Sequence, residues 1–301
     1  FAQLVPGNAS AINNLAYIDD FESTKIGFDV RSPQSWKLAS VPYNPTGGLF
    51  PEASLVNDIE SGKNRALLAW YYIDPLFTRS TSTTPQYIKN DKEQLSNHFI
   101  REIKETEVFP NKELVYGQSS YLQTLNLAYY PNERGPYNIY ADNFNADGTL
   151  KNPESKWGGV MRKLETTDFE TNNIEYVEFW MLDPFVYDTL SSMKGGDLYF
   201  DLGDVSEDVL KDGRKFFENG LPVSSSDVAA DSTAWGKVPA KQSIVYAFDN
   251  DEDSRALQDV GLDGLPTKEE SSFGNYKTFV DKLKNTLTID EKTKMEEDPF
   301  S

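Results

Sequence analysis

The densest set of oxygen ligands is the run Asp249-Asn250-Asp251-Glu252-Asp253, followed by Asp259 and by Asp263-Gly264. Alternating carboxylates with a glycine to turn the chain are what Ca²⁺ asks for, since that ion takes six to eight hard oxygen ligands. The spacing is not that of an EF-hand, because the loop glycine and the closing bidentate glutamate do not both fit. The same run also reads as an exposed acidic loop, so structural calcium on Asp249, Asp251, Asp253, Asp259 and Asp263 stands as one of two readings. Asp19, Asp20 and Glu22 form a second, smaller acidic group, whose simpler role is to cap or bridge strand ends.

Five tryptophans could offer faces for sugar stacking. Trp36, Trp70 and Trp180 lie in apolar, strand-like stretches and read as core. Trp157 precedes Gly158-Gly159 and Trp235 sits in a polar loop, so these two are the candidate ligand-binding residues. Carboxylate pairs such as Asp201 with Glu207 or Asp208 are expected by chance in a chain with 48 acids, and carry no glycosidase signal. His98, the single histidine, is one residue from the Leu95/Phe99 stripe and reads as structural. No GxSxG elbow and no Walker phosphate loop occurs. Without cysteine there is no thiol nucleophile, disulfide, zinc-thiolate or iron–sulfur chemistry. No catalytic residue is assigned, and the expectation is a non-enzymatic protein.

Charge narrows the partners. With 29 basic and 48 acidic residues the chain carries −19, which repels nucleic-acid backbones and anionic lipid alike. Aromatics at 13% and hydrophobics at 38% argue for a real core rather than disorder. No apolar run approaches the ~20 residues of a membrane helix.

The elements that would hold these residues are mostly extended. Tyr17–Glu22, Ser35–Ala39, Arg65–Asp74, Tyr121–Tyr130, Trp157–Glu165, Ile174–Leu182 and Asp197–Gly203 read as strands, the last with Leu198, Phe200 and Leu202 on one face. Ile88, Leu95, Phe99 and Ile103 recur at helical spacing, and Asn90 with Glu93 suggests a capping box for a helix around residues 90–107. A second amphipathic helix is expected near Tyr276–Leu287. Short strands separated by turn signals point to a β-sandwich rather than a βαβ fold. The expected division is a mainly β sandwich over residues 1–245, with the inserted helix, and an acidic, partly helical segment over residues 246–301.

Several long runs resemble one family. They are Tyr17–Glu22 (YIDDFE), Ala66–Phe77 (ALLAWYYIDPLF), Asn126–Asn138 (NLAYYPNERGPYN) and Trp157–Arg162 (WGGVMR). Asp168–Phe185 (DFETNNIEYVEFWMLDPF), Gly195–Pro222 (GGDLYFDLGDVSEDVLKDGRKFFENGLP) and Ala247–Leu265 (AFDNDEDSRALQDVGLDGL) complete the set. In this order they resemble the SprA/Sov family of Bacteroidetes, the outer-membrane translocon of type IX secretion. The resemblance implies a piece of a giant β-barrel that moves folded proteins to the cell surface and supports gliding motility. Its partners would be the rest of the barrel chain, accessory proteins and cargo.

No ladder of ~10-residue membrane strands appears in the sequence, so the chain reads as a soluble insertion into that barrel. Phe1–Gly7 could be the tail of an incoming barrel strand. Outer loops of bacterial barrels are long and periplasmic turns short, which favours an extracellular cap, with a periplasmic position as the alternative. In outline the segments also resemble galactose-binding-like jelly-rolls, which often hold calcium near the first strand, the place of Asp20 and Glu22. A surface-glycan-binding module is the second functional reading, and an independent hydrolase the third.

Overall fold

The computed structural model describes residues 2–6, 16–20, 30–43, 48–114, 116–117, 119–164, 168–170, 176–187, 195–214, 230–240, 250–258 and 260–297. The strands are β1 (Ala2–Pro6), β2 (Ala16–Asp20), β3 (Lys37–Leu38), β4 (Ala66–Tyr71), β5 (Ile103–Lys104), β6 (Tyr121–Leu122), β7 (Asn126–Arg134), β8 (Val160–Met161), β9 (Ala230–Ser232) and β10 (Lys237–Pro239). The α-helices are α1 (Gln86–Asn90), α2 (Lys92–Leu95), α3 (Glu105–Val108), α4 (Glu252–Gln258), α5 (Thr267–Glu270), α6 (Gly274–Thr286) and α7 (Ile289–Glu297). Among the described residues strands pair only in twos: β1 with β2, β3 with β8, β4 with β7, β5 with β6 and β9 with β10. The chain is strand-rich with short antiparallel sheets and few helices, a mainly β protein.

The chain divides into two compact units. The first comprises Phe1–Ser35, Trp70–Asn126 and Arg162–Phe200; the second comprises Trp36–Ala69, Leu127–Met161 and Asp201–Ser301. The expected division at residue 245 falls outside the described residues; the C-terminal helices supply core to the second unit. Tyr276, Phe279, Val280 and Leu283 lie at i, i+3, i+4 and i+7 on α6, and all four are buried against Phe144, Leu150, Ile139 and Trp235. The Phe279 ring meets Phe144 edge-on, with centroids 5.8 Å apart. The expected helix near Tyr276–Leu287 is thus α6, and its apolar stripe is what docks it.

At the centre of the second unit Arg65 is 1% exposed. Its guanidinium donates to the carbonyls of Ala39 (3.1 Å), Pro136 (3.3 Å) and Val209 (3.3 Å), and lies 5.3 Å from the Trp157 ring centroid. Burial pulls its pKa down to about 10. Three carbonyls from distant stretches of chain converge on one cation, so Arg65 ties them together. Asn138, fully buried, donates to the carbonyls of Lys63 and Arg65. Gly135 passes so close to the Ala66 carbonyl that any β-carbon there would overlap it. The runs around GKNRALLAW and NERGPYN are therefore packing motifs, with the Arg65 N–H bonded to Gly62 and the Gly135 N–H to the Arg65 carbonyl.

The first unit differs from expectation in its helix. In place of one helix over residues 90–107 there are α1, α2, a 3-10 turn at His98–Ile100 and α3. The Asp91 carboxylate accepts from the Gln94 N–H at 2.8 Å, and the Asn97 side chain from the Phe99 N–H at 2.9 Å. Each short polar side chain restarts a turn instead of prolonging the previous one. The cap falls on Asp91, one residue beyond the expected Asn90. The strand expected over Trp157–Glu165 shrinks to β8, and that over Tyr121–Tyr130 splits into β6 and the start of β7. The described parts of Ile174–Leu182 and Asp197–Gly203 enter no ladder.

Candidate functional site

In the first unit a cleft of about 240 Å³ is lined by Tyr72, Ile73, Pro75, Arg79, Arg101, Glu102, Ser119, Tyr121, Leu122, Gln123 and Thr124. Asp74 builds one wall: its carboxylate accepts from the Leu76 N–H at 2.8 Å and starts the 3-10 turn Pro75–Phe77, which delivers Thr78 and Arg79. The opposite wall is the β5–β6 pair, with Ile103 opposite Leu122 and Lys104 opposite Tyr121. That pairing sets Glu102 and Tyr121 beside Arg79. Nε and Nη2 of Arg79 donate to the two Glu102 oxygens at 2.6 and 2.5 Å, and the guanidinium lies 4.3 Å from the Tyr121 ring centroid.

Electrostatics follow from those contacts. The Arg79 guanidinium holds the Glu102 carboxyl below the ordinary range, and the Thr78 hydroxyl donates to the same carboxylate at 2.9 Å. Arg101 donates to Glu107 at 2.8 Å, while Glu107 also accepts from the Lys104 N–H at 3.0 Å. These two contacts, the backbone N–H foremost, lower the Glu107 pKa. On the far side the Tyr72 hydroxyl donates to Gln34 at 3.1 Å and accepts from Gln123 at 2.5 Å. Sequence reasoning missed this cleft. Arg79, Glu102 and Tyr121 are far apart in the chain, and residues 101–104 read as part of a helix, so no local pattern pointed to it.

The sequence-predicted acids fare differently. Asp249, Asp259 and Glu22 lie outside the described residues. Asp20 faces Ala2 and Asp19 faces Gln3 in the β1–β2 register. Asp251 and Asp253 are exposed at the start of α4, where the Asp251 carbonyl accepts from the Arg255 N–H, so their charge sits at the positive end of that helix. Asp263 is 3% exposed and accepts from the Tyr276 hydroxyl (2.7 Å) and the Leu265 N–H (3.2 Å). Its pKa is raised by burial, against the pull of those two donors. Asp263 thus spends both oxygens on joining the residue 260–265 turn to α6. Among the described residues no group of three or more metal-ligating side chains comes together.

Three of the five tryptophans lie opposite to expectation. Trp157 is 8% exposed, its ring edge-on to Phe50 at 5.7 Å, and Trp235 is 1% exposed in the main core. Neither can present a face to a sugar. The glycines beside Trp157 act through packing: a β-carbon on Gly158 would press on Leu68 and Tyr129. Trp180, expected in the core, is 78% exposed. Trp36 and Trp70 are half-buried, with Trp70 Nε1 donating to the Pro33 carbonyl at 3.2 Å. His98 is half-buried, edge-on to Phe99 and Tyr187.

The most conspicuous surface feature of the first unit is the pair of stretches 176–187 and 198–200. Tyr176, Phe179, Trp180, Met181, Tyr187, Leu198, Tyr199 and Phe200 are all more than half exposed. Scattered exposed hydrophobics are ordinary, but this many in two short stretches mark an interaction surface.

Against known proteins, no family model matches the chain. No curated protein matches it either.

Proposed function

We propose that this chain is a soluble domain of a giant outer-membrane β-barrel that translocates folded proteins in type IX secretion and gliding motility, placed on the extracellular side as a cap. Its role is mechanical, gating or contacting cargo and accessory proteins at the barrel mouth, rather than catalytic. The reading rests first on the seven ordered runs from Tyr17 to Leu265 that resemble the SprA/Sov family. The observation that carries it is the exposed aromatic stretch around Phe179 and Phe200, apolar surface of the kind a domain shows when it works inside a larger assembly.

The finer architecture in this reading is a jelly-roll sandwich. Residues 176–182 and 197–203 would be two of its strands, paired antiparallel. The Phe179 and Phe200 rings lie 5.1 Å apart, which suits a register with Trp180 opposite Tyr199 and Met181 opposite Leu198. Phe179 and Met181 then share a face with Leu198 and Phe200, the alternation of a strand. The glycan reading loses its proposed platform, since Trp157 and Trp235 are buried.

This chain has no cysteine, so a cysteine placed in it adds a new labelling site, and the unsubstituted full-length protein is the control. Ser82, exposed in the first unit, is changed to Cys in the full-length protein in its host, and cells are treated with a membrane-impermeant maleimide. Labelling of intact cells is the expected result. Labelling only after outer-membrane permeabilisation moves the domain to the periplasmic side. Labelling only after lysis of the inner membrane refutes the proposal. In the same cells Phe179→Asp with Phe200→Asp should abolish surface delivery of cargo while the barrel still assembles, and normal delivery would count against a role in transport.

A further inference from the structure

We propose that the cleft of the first unit is a binding site for a carboxylate-bearing sugar, a uronate unit of an acidic polysaccharide, gripped by Arg79 and Arg101. The inference does not rest on the barrel reading, and either can fail without the other.

On a chain that carries −19, the cleft gathers two arginines, each paired with one carboxylate, Arg79 with Glu102 and Arg101 with Glu107. A surface this acidic repels anions in general, so an anion that binds must be met by a built local site. Neither carboxylate uses all the donors of its arginine: Glu102 occupies the Nε and Nη2 edge of Arg79, and Glu107 occupies Nη1 of Arg101. Among the described residues Nη1 of Arg79, and Nε and Nη2 of Arg101, make no hydrogen bond. Guanidinium donors of this kind fit the planar, two-oxygen geometry of a carboxylate.

Arg79 is also held in place before any ligand arrives. Glu102 grips it through two bonds and the Tyr121 ring lies beneath it. Its rotamer freedom is already lost, so binding does not have to freeze a flexible side chain.

The rest of the lining selects a sugar over a bare anion. The Gln123 amide has committed its nitrogen to the Tyr72 hydroxyl, which leaves its carbonyl oxygen as an acceptor for a ligand hydroxyl. Ser119 and Thr124 add hydroxyls, and Tyr72, 42% exposed, offers a ring to the C–H face of a pyranose. The volume suits one ring rather than a large ligand: drug-sized sites run from about 300 Å³ upward. An acidic peptide would need apolar room for its neighbouring side chains, and the lining offers only Ile73, Pro75 and Leu122 for that.

The test is calorimetric titration of the whole chain with an oligogalacturonate. Parallel titrations use a neutral gluco-oligomer, glucose 6-phosphate and an oligoglutamate peptide. The proposal expects saturable binding of the uronate oligomer that weakens as salt rises, and little or no binding of the other three. Arg101→Gln should weaken it at least about tenfold, and Arg79→Lys by a similar factor because lysine lacks the fork. Tyr72→Phe should weaken it less, and the near-ultraviolet circular dichroism of all three variants should match the parent. If Arg79→Lys disturbs that spectrum, the exposed Arg101→Gln alone decides. No binding of the uronate oligomer, undiminished binding in Arg101→Gln, or equal binding of the sugar phosphate or the acidic peptide overturns the assignment.

Discussion

Phe279→Ala tests the docking of the C-terminal helix on the second unit. The side chain is 2% exposed, meets Phe144 edge-on at 5.8 Å, and has the Arg134 guanidinium 5.8 Å above its ring. Truncating a buried phenylalanine costs about 3–5 kcal/mol, the transfer of the ring plus the cavity it leaves. The aromatic pair accounts for roughly 0.5–1.5 kcal/mol of that. Because the chain has two compact units, a single melting temperature would mix their transitions. Hydrogen exchange of the α6 amides, followed peptide by peptide, isolates the relevant opening. A loss of about 3 kcal/mol should speed that exchange about 100-fold or more, since each 1.4 kcal/mol is a factor of ten. The control is Asp281→Ala on the exposed face of the same helix, expected to stay within about 0.5 kcal/mol of the parent. If Phe279→Ala and Asp281→Ala accelerate exchange equally, α6 is not a core element and the second unit has been misread.

Two other outcomes follow from the same unit. Burial raises the Asp263 pKa, so the folded chain holds that proton more tightly than the unfolded one, and stability falls as pH rises from the ordinary aspartate range through the raised folded value. Asp263→Asn should flatten that fall in urea midpoints measured across the interval, and an unchanged slope would mean that Asp263 is not buried against Tyr276. A β-carbon on Gly236 would overlap the Asp263 carbonyl, whereas one on Gly274 at the start of α6 meets nothing within 4 Å. Gly236→Ala should therefore cost the second unit at least about 2 kcal/mol through backbone displacement, and Gly274→Ala should be neutral or stabilising by about 0.5–1 kcal/mol; equal urea midpoints for the two would refute the close approach.

Local pattern carried some elements through to the structure. The mainly β class was legible in the aromatic, β-branched runs, and β4 falls inside Arg65–Asp74. The helix at Gly274–Thr286 was legible because Tyr276, Phe279, Val280 and Leu283 repeat at helical spacing. Where short side chains compete for the backbone, the pattern misled. The Ile88/Leu95/Phe99/Ile103 spacing is helical, yet Asp91 and Asn97 each bond a nearby N–H and cut the helix into turns.

For the candidate site, residue type was a poor guide to exposure. Glycines beside Trp157 and a polar context around Trp235 suggested surface. Both rings are buried, because small and polar neighbours let other parts of the chain come close. Trp157 packs with Phe50 and Arg65, and Trp235 with the core that α6 completes. Asp263 shows the same limit: within its acidic run it looked like a calcium ligand, and only the approach of Tyr276 turned it into a buried acceptor.

From the sequence by itself came the strand-rich class, the acidic charge and the absence of thiol chemistry in this chain, all properties of composition and local order. The tertiary structure alone decided which tryptophans are inside, that three distant carbonyls close on Arg65, and that Arg79, Glu102 and Tyr121 meet at one cleft. The physical reason is that burial and pairing depend on which stretches of chain come together in space. No periodicity records that Arg79 meets Glu102 only because Ile103 pairs with Leu122.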